Sequence, residues 1–311
     1  MKLRLSLVIP LFNEESTVPL LVRELNAIAK KLPKPTEIIF VDDGSKDRTV
    51  QKLQKSRLKY KKKIIELSRN FGHQAALYAG MEEATGQYVV TLDGDLQHPP
   101  ALIPEMLRLH KSGYDIVLTK RVDNKFVPKY KQITAKFFYT LMNRMSNTVL
   151  PMNSSDFRSM NQRALRALLS IPEHRKFLRG MVSWIGFRSI IVPFEVGERV
   201  AGKSKYSWMK MFQLAFYGIT SFSVFPLYFA SIFSVGLFSL AFLYALYVLY
   251  IKFVIGDVVS GWASVLFVLL TLGGCISLFL GIIGFYVAAI YDEVKQRPVY
   301  IIKEKKYHSG K

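Results

Sequence analysis

Cysteine is almost missing: Cys275 is the only one in 311 residues, so the chain holds no internal disulfide and no cysteine metal site. Acidic residues are scarce as well, 23 against 43 lysines and arginines, which leaves a formal charge of +20. An excess of that size calls for an anionic partner. None of the usual nucleic-acid reader motifs occurs, so nucleic acid is not expected, and lipid headgroups and phosphates are the nearer anions. The residues Met1 to Pro10 are too few for a signal-peptide core and are stopped by Asn13, Glu14 and Glu15, so the large N-terminal part is not expected to be exported.

Charge is lacking altogether from Phe212 to Ile251 and again from Val258 to Tyr291, with only Lys252 and Asp257 between. Each run exceeds the ~20 apolar residues that cross a bilayer core. The pattern predicts a hairpin of two membrane-spanning helices, 222–251 and 259–291. Lys203, Lys205 and Lys210 precede the hairpin and Lys295, Arg297, Lys303, Lys305 and Lys306 follow it, while the connecting turn is poor in positive charge. The positive-inside rule then puts both ends in the cytoplasm, with 292–311 as a basic tail. Gly273, Gly274, Gly281 and Gly284 would let such helices pack closely, which leaves room for a homo-oligomer formed through the spans.

The first two hundred residues read differently. Apolar β-rich runs at 5–10, 37–41, 64–67, 88–92 and 116–119 alternate with helical patterns at 17–32, 74–84 and from about Pro100, and Asp47 suits the N-cap of a short helix after the second strand. This alternation predicts an α/β domain over 1–205. Beyond it, 130–149 and 206–221 carry aromatic and apolar residues against lysine and arginine. The second leads straight into the first span and is expected to lie in the headgroup layer. For the first, an ordinary core-facing helix is an equal reading.

In an open parallel sheet ligands bind beyond the carboxyl ends of the strands, and the polar residues fall there. Asn13 and Glu14 follow the first strand, Asp42, Asp43 and Gly44 the second, and Asp93, Asp95 and Gln97 the fourth. Residues two apart in an extended segment point the same way, so Asp93 and Asp95 can meet one cation. Two like charges so close repel unless a cation intervenes. Isolated, Asp-x-Asp is more often a capped turn, but placement after a strand with the oxygen of Gln97 behind it favours a metal. An all-oxygen set without a His or Cys cluster suits Mg²⁺ or Mn²⁺, ions that commonly hold phosphates. The acid Asp42 is placed as in dinucleotide folds, yet G-x-G-x-x-G is missing after the first strand, which disfavours hydride transfer and points to a nucleotide other than NAD.

The segments VIPLFNEE (Val8 to Glu15), VDDGSKDRT (Val41 to Thr49), SRNFGHQAAL (Ser68 to Leu77), DGDLQHPP (Asp93 to Pro100), SDFRSM (Ser155 to Met160) and GERVAGKSKYSW (Gly197 to Trp208) resemble family 2 glycosyltransferases. The branch they resemble most holds dolichyl-phosphate mannose synthase and the bacterial polyprenyl-phosphate glucosyltransferases, the latter with two C-terminal spans. The resemblance implies a GT-A fold with a mostly parallel sheet that binds a nucleotide-sugar donor. It implies Pro10, Asn13, Glu14 and Asp42 around base and ribose, and Asp93, Asp95 and Gln97 at the nucleotide and its Mg²⁺ or Mn²⁺. It further implies Arg199, Ser204 and Lys205 in a basic segment over the diphosphate, Arg121 near the acceptor phosphate, and Asp156 close to the acceptor as base, orienter of a cation, or sugar ligand. Asp95, Asp156, Arg199 and Lys205 are the residues expected to carry the chemistry. The Gln-x-x-Arg-Trp motif of processive synthases is missing, which favours a single transfer.

The expected reaction is an inverting, metal-dependent transfer of a hexose, glucose from UDP-glucose first, to polyprenyl phosphate, undecaprenyl phosphate at the plasma membrane of a bacterium. Mannosyl transfer from GDP-mannose to a dolichol-type lipid, transfer to a non-lipid hydroxyl, and a membrane nucleotide-binding scaffold without activity are the alternatives.

Overall fold

Residues 5–122, 154–174, 176–195, 225–255 and 261–308 are described in the structure, a computed structural model. The chain divides into two units, one built on an eight-stranded sheet and one on two long helices.

The sheet unit starts with the parallel strands β1 (Leu5–Leu11), β2 (Thr36–Asp42), β3 (Lys61–Leu67) and β4 (Tyr88–Thr91). β1 is apolar except at Ser6, β2 is apolar from Ile38 to Val41, and both are buried throughout, as strands covered on both faces must be. Successive side chains alternate between faces. Leu7, Ile9, Ile38 and Phe40 therefore join one core with α1 (Val18–Ala27), α2 (Thr49–Lys55) and α4 (Ile103–Lys111). Val8, Ile39 and Val41 join the other with α3 (His73–Glu82), α5 (Gln162–Leu169) and α6 (Leu178–Trp184). α1 opens with Pro19 in its first turn, where a missing N–H costs nothing. Asp47 lies one residue before the N-cap of α2, and its Oδ1 still accepts from the Thr49 amide at 3.0 Å.

The rest of the sheet comes from β5 (Ile116–Val122), β6 (Ser154–Asn161), β7 (Ser189–Glu195) and β8 (Ile302–His308), in the order β7-β5-β6-β4-β1-β2-β3-β8. Only β6 and β8 run against the others. The chain thus has the GT-A-type α/β fold with a mostly parallel sheet. The antiparallel β6 matters for the site: Thr91 on β4 pairs with Arg158, so Asp156 lies two residues further toward the edge where β4 ends and Asp93 follows. β8 lies within the stretch read as a basic tail, and it closes the β3 edge of the sheet.

In the second unit α7 (Phe225–Tyr250) ends in a π-helical turn, Ile251–Ile255, and α8 (Trp262–Val294) follows. Leu227–Tyr250 and Val268–Val294 are long and apolar enough to cross a membrane. At 1.5 Å per residue the shorter one spans about 36 Å, against a hydrocarbon core of about 30 Å. Large apolar side chains such as Phe238, Leu270 and Leu280 are exposed along both helices, an arrangement that water penalises and lipid does not. The segments 130–149 and 206–221 lie outside the described residues.

Candidate functional site

Four loops meet at the carboxyl end of the parallel strands. The loop after β1 is tied to the loop after β2: the Asn13 amide donates to Ser45 Oγ at 2.9 Å, the Lys46 amide to Asn13 Oδ1 at 2.9 Å, and the Glu14 amide to Thr49 Oγ1 at 2.8 Å. Asn13 and Glu14 thereby hold the two loops together, and Asn13 adopts φ 54°, a left-handed conformation that asparagine tolerates better than most residues. The Glu14 carboxylate is engaged by the Thr17 hydroxyl. Pro10 is buried in β1 beneath them.

Asp43 and Asp42 diverge. Both carboxylate oxygens of Asp43 accept backbone amides of the loop after β3, from Phe71 at 2.7 Å and Gly72 at 3.0 Å, so Asp43 fixes the start of α3. Gly44, at φ +72°, lets this loop pass close: a Cβ there would stand 2.4 Å from the Arg69 carbonyl carbon. Asp42 uses Oδ2 for the Ser45 amide at 3.0 Å, while its Oδ1 is buried without a hydrogen-bond partner. Burial pushes the Asp42 pKa above the ordinary carboxylate value, although the Ser45 hydrogen bonds oppose it. A buried acceptor left unmatched is costly, and a ligand donor would relieve it.

The loop after β4 brings in the remaining acids. Gly94 packs so tightly on Leu11 that a Cβ would come within 2.2 Å of its methyl. Asp95 Oδ1 accepts the Gln97 amide at 3.1 Å, and between them Leu96 takes φ 62°, a strained conformation for a leucine and of the kind found at functional loops. Gln97 is buried. The Asp93 amide donates to His98 Nδ1 at 3.1 Å, so the tautomer with a proton on Nε2 fits, and Nε2 meets Ser155 Oγ at 2.6 Å. His98 stacks on Phe157 and ties the Asp93 loop to β6.

Asp156 is the centre of the arrangement. It is 4 % exposed, and its carboxylate meets Arg158 Nη2 in a short ion pair, Arg179 Nη2 at 2.9 Å and Nε at 3.2 Å, and His73 Nε2 at 3.6 Å. Arg158 points the same way because it lies two residues along an extended strand. It is fully buried, and its Nη1 donates to the Leu178 carbonyl at 3.1 Å. Burial alone would raise the Asp156 pKa, but His73, Arg158 and Arg179 together hold it well below the usual carboxylate range. His73 also stands 3.2 Å from Asp93 Oδ1, an oxygen with no donor aligned on it. Burial works against charge on His73, and Asp156 and Asp93 outweigh it, lifting its pKa to about 10. His73 is thus an imidazolium at neutral pH, and it in turn lowers the Asp93 pKa against the effect of burial.

The geometry therefore gathers Asp42, Asp93, Asp95, Gln97 and Asp156 at one edge, with Asn13 and Glu14 in the loop beside Asp42. The backbone of Arg121 lies in β5 opposite Phe194, and its side chain is outside the described residues, as are Arg199, Ser204 and Lys205. Sequence reasoning gave no role to His73, His98, Arg158 or Arg179. The first three lie inside quoted motifs, and Arg179 lies in none.

Among the described residues no group of three His, Cys, Asp or Glu side chains is arranged to hold a metal by itself. The donor chemistry nevertheless suits one: two carboxylates on one loop, with a buried Asp93 oxygen lacking an aligned donor, are what Mg²⁺ or Mn²⁺ uses when substrate phosphates supply the other ligands.

Comparison with known proteins agrees with this geometry. Residues 6–169 match the family model described as Glycosyl transferase family 2. The chain is 39% identical over 300 residues to an uncharacterized glycosyltransferase of Bacillus subtilis, covering 96% of this chain and 93% of that one. It is 37% identical over 309 residues to the SfII prophage-derived bactoprenol glucosyl transferase of Shigella flexneri, covering 99% of each. It is 36% identical to a prophage bactoprenol glucosyl transferase homolog of Escherichia coli, covering 98% of this chain and all of that one. With a parallel sheet whose strand ends deliver these acids to one edge, the chain belongs to glycosyl transferase family 2 and is a glycosyltransferase.

Proposed function

We propose that this chain transfers glucose from UDP-glucose to a polyprenyl phosphate, with inversion at the anomeric carbon. The observation that carries the reading is the convergence of Asp42, Asp93 and Asp95 beyond β2 and β4 in a chain that also has two helices of membrane length. Relatives named bactoprenol glucosyl transferase, matched end to end, support the sugar and the lipid.

The unmatched Asp42 Oδ1 suits a donor from the nucleoside, and Asp93 and Asp95 suit a divalent ion bound with the diphosphate. Such an ion, when bound, offsets the charge that builds on the departing diphosphate. Arg199, Ser204 and Lys205 are proposed to close over that diphosphate and Arg121 to serve the acceptor. The attacking phosphate monoester has a second pKa near ~6 and is largely ionised at neutral pH, so no strong general base is needed. Asp156, held ionised by its cations, is too weakly basic for that task and is better suited to orienting them.

The lipid acceptor gives the hairpin its purpose, because drawing an isoprenoid into water costs about 0.8 kcal/mol per CH₂. The lysines and arginines that flank the hairpin support a cytoplasmic placement of both ends, and β8, which follows α8 and pairs with β3, fits the two ends lying on one side. The test is incubation of membranes carrying the chain with radiolabelled UDP-glucose and undecaprenyl phosphate. Label should enter the chloroform phase, be released as a single glucose by mild acid, and vanish with chelator. Label that stays in water, or enters from GDP-mannose instead, overturns the reading.

A further inference from the structure

His98 closes the loop that carries Asp93 and Asp95. Beyond β4 the Leu92 amide still donates to the Val8 carbonyl of β1, at 3.1 Å, but the next amide, that of Asp93, donates to His98 Nδ1 at 3.1 Å. The backbone amide of the first acid is thus held by a side chain rather than by the sheet. The opposite ring nitrogen, Nε2, carries the proton and meets Ser155 Oγ at 2.6 Å, so the imidazole spans from the loop to β6. The ring is 2 % exposed, stacked on Phe157 with centroids 5.3 Å apart and set edge-on to Phe194 of β7 at 5.7 Å, which leaves it little room to turn. A phenylalanine would fill this space without burying polar atoms; an imidazole bonded at both ends also fixes the distance between two segments. Ser155 and Phe157 point to one face of β6, Asp156 and Arg158 to the other, so the bridge ends on the residue next to Asp156. At 3.6 Å His98 Nδ1 lies outside hydrogen-bond reach of Asp93 Oδ2, and His98 therefore grips the Asp93 backbone and leaves the carboxylate to other partners.

We propose that His98 is a positioning residue for the transfer: through the Asp93 amide and Ser155 it holds the acids suited to the divalent ion at a fixed place against the strand that carries Asp156. The inference rests on the transfer reading above and adds a residue that acts through Asp93 and Ser155 rather than on the substrates. The two bonds have separable duties. The bond to Asp93 orients a carboxylate and so governs how tightly the ion is held. The bond to Ser155 sets the loop against β6 and so governs how donor and acceptor meet, where a displacement of about 1 Å costs about a hundredfold in rate.

The test uses the full chain in detergent micelles and two readouts. One is turnover of UDP-glucose with undecaprenyl phosphate; the other is Mn²⁺ affinity in the presence of UDP, read from the electron paramagnetic resonance signal of the free ion. His98→Phe, which keeps the stacking and loses both bonds, should weaken Mn²⁺ binding about tenfold or more and slow turnover about a hundredfold. The side-chain oxygen of His98→Asn takes the place of Nδ1 but is too short to reach Ser155. That variant should bind Mn²⁺ within about threefold of wild type and still turn over about tenfold slower. Ser155→Ala cuts the bridge from the other side and should match it, and the double variant should be no slower than either single one, because both changes break one link. A role confined to folding would lower the unfolding midpoint and leave the Mn²⁺ affinity of the folded protein unchanged. Unchanged Mn²⁺ affinity in His98→Phe, or losses that multiply in the double variant, overturn the inference while the transfer reading stands. Should His98→Phe fail to fold, the two milder variants decide: wild-type turnover in either overturns the bridge. Wild-type protein that makes no glycolipid overturns the transfer reading, and this inference with it.

Discussion

Arg158 and Asp156 illustrate how one charge in the core dictates what its neighbour can do. A guanidinium only 2 % exposed survives there because a carboxylate two residues away meets it. Removing one partner of a buried pair typically costs about 3–5 kcal/mol, so Asp156→Asn should lower the midpoint of thermal unfolding markedly. The pH sign follows from the depressed carboxyl: its stabilisation is complete above the unfolded value near 3.8 and is lost as pH falls below it through the folded pKa. Acid unfolding of the wild type should therefore steepen below about pH 4, and Asp156→Asn should lack that limb. In turnover the variant should be slower by a similar factor at every pH, since the acid limb near ~6 belongs to the acceptor phosphate. Activity lost chiefly at low pH would make Asp156 a base after all. Asp95→Asn is a different case, because no cation of the protein pairs with it in the described structure. It should cost turnover about a hundredfold or more through the divalent ion, with little change in folding stability, and excess Mn²⁺ should restore part of the loss.

At the scale of elements, the parallel half of the sheet is written plainly in the sequence. β1, β2 and β4 are apolar runs ending in acids, and the expected strands and the acids beyond them follow from period and punctuation. β6, β7 and β8 do not announce themselves. β6 reads SSDFRSMN, with a single large apolar residue on each face, and besides Phe157 and Met160 in the two cores it is the Asp156–Arg158 pair and hydrogen bonds such as Thr119 Oγ1 to the Phe157 carbonyl at 2.6 Å that make it a buried strand. β7 carries Pro193, which argues against a strand until its position at the sheet edge is known. β8 is mostly charged, as edge strands are when they must not recruit another chain. The cations of the site were illegible for a related reason: His73 and Arg179 meet Asp156 across 83 and 23 residues, a pairing that no periodicity records.

β8 is testable in its own right. Lys305 meets Glu83 and Lys306 meets the buried Glu66, both at 2.7 Å, but the Lys305 pair reaches the surface, and pairs of that sort contribute about 0–1 kcal/mol. Backbone pairing from Lys62 to Leu67 covers an edge that would otherwise be open, and the Ile301 carbonyl accepts from Ser68 at the head of the loop that Asp43 holds. Lys305→Glu should thus change the unfolding midpoint by a degree or two at most, roughly what a sub-kcal/mol change gives. Deleting 302–311 should lower it far more and leave the protein prone to aggregate along β3, as judged by light scattering. Equal effects from the two changes would mean that the ion pairs, not the strand, secure the edge.

For the whole molecule, chain order creates an unusual dependence: the strand that finishes the sheet unit is encoded after the hairpin. A truncation before α7 removes β8 as well, so loss of activity in such a protein says nothing about the membrane. The informative variant excises the hairpin and joins its flanks by a flexible linker, keeping 302–308. Because the sheet unit has a core on each face of its own sheet, this variant should fold and bind UDP. If the site itself recognises only sugar nucleotide and phosphate, a water-soluble acceptor with one or two isoprene units should be glucosylated within about tenfold of the intact chain's rate, whereas undecaprenyl phosphate in vesicles should be used at least about a hundredfold less. The gap between the acceptors would then measure the effective concentration gained by anchoring the enzyme in the same bilayer as its lipid. If instead both acceptors fail while UDP still binds, the helices contribute contacts to the reacting phosphate, and recognition is not confined to the sheet edge.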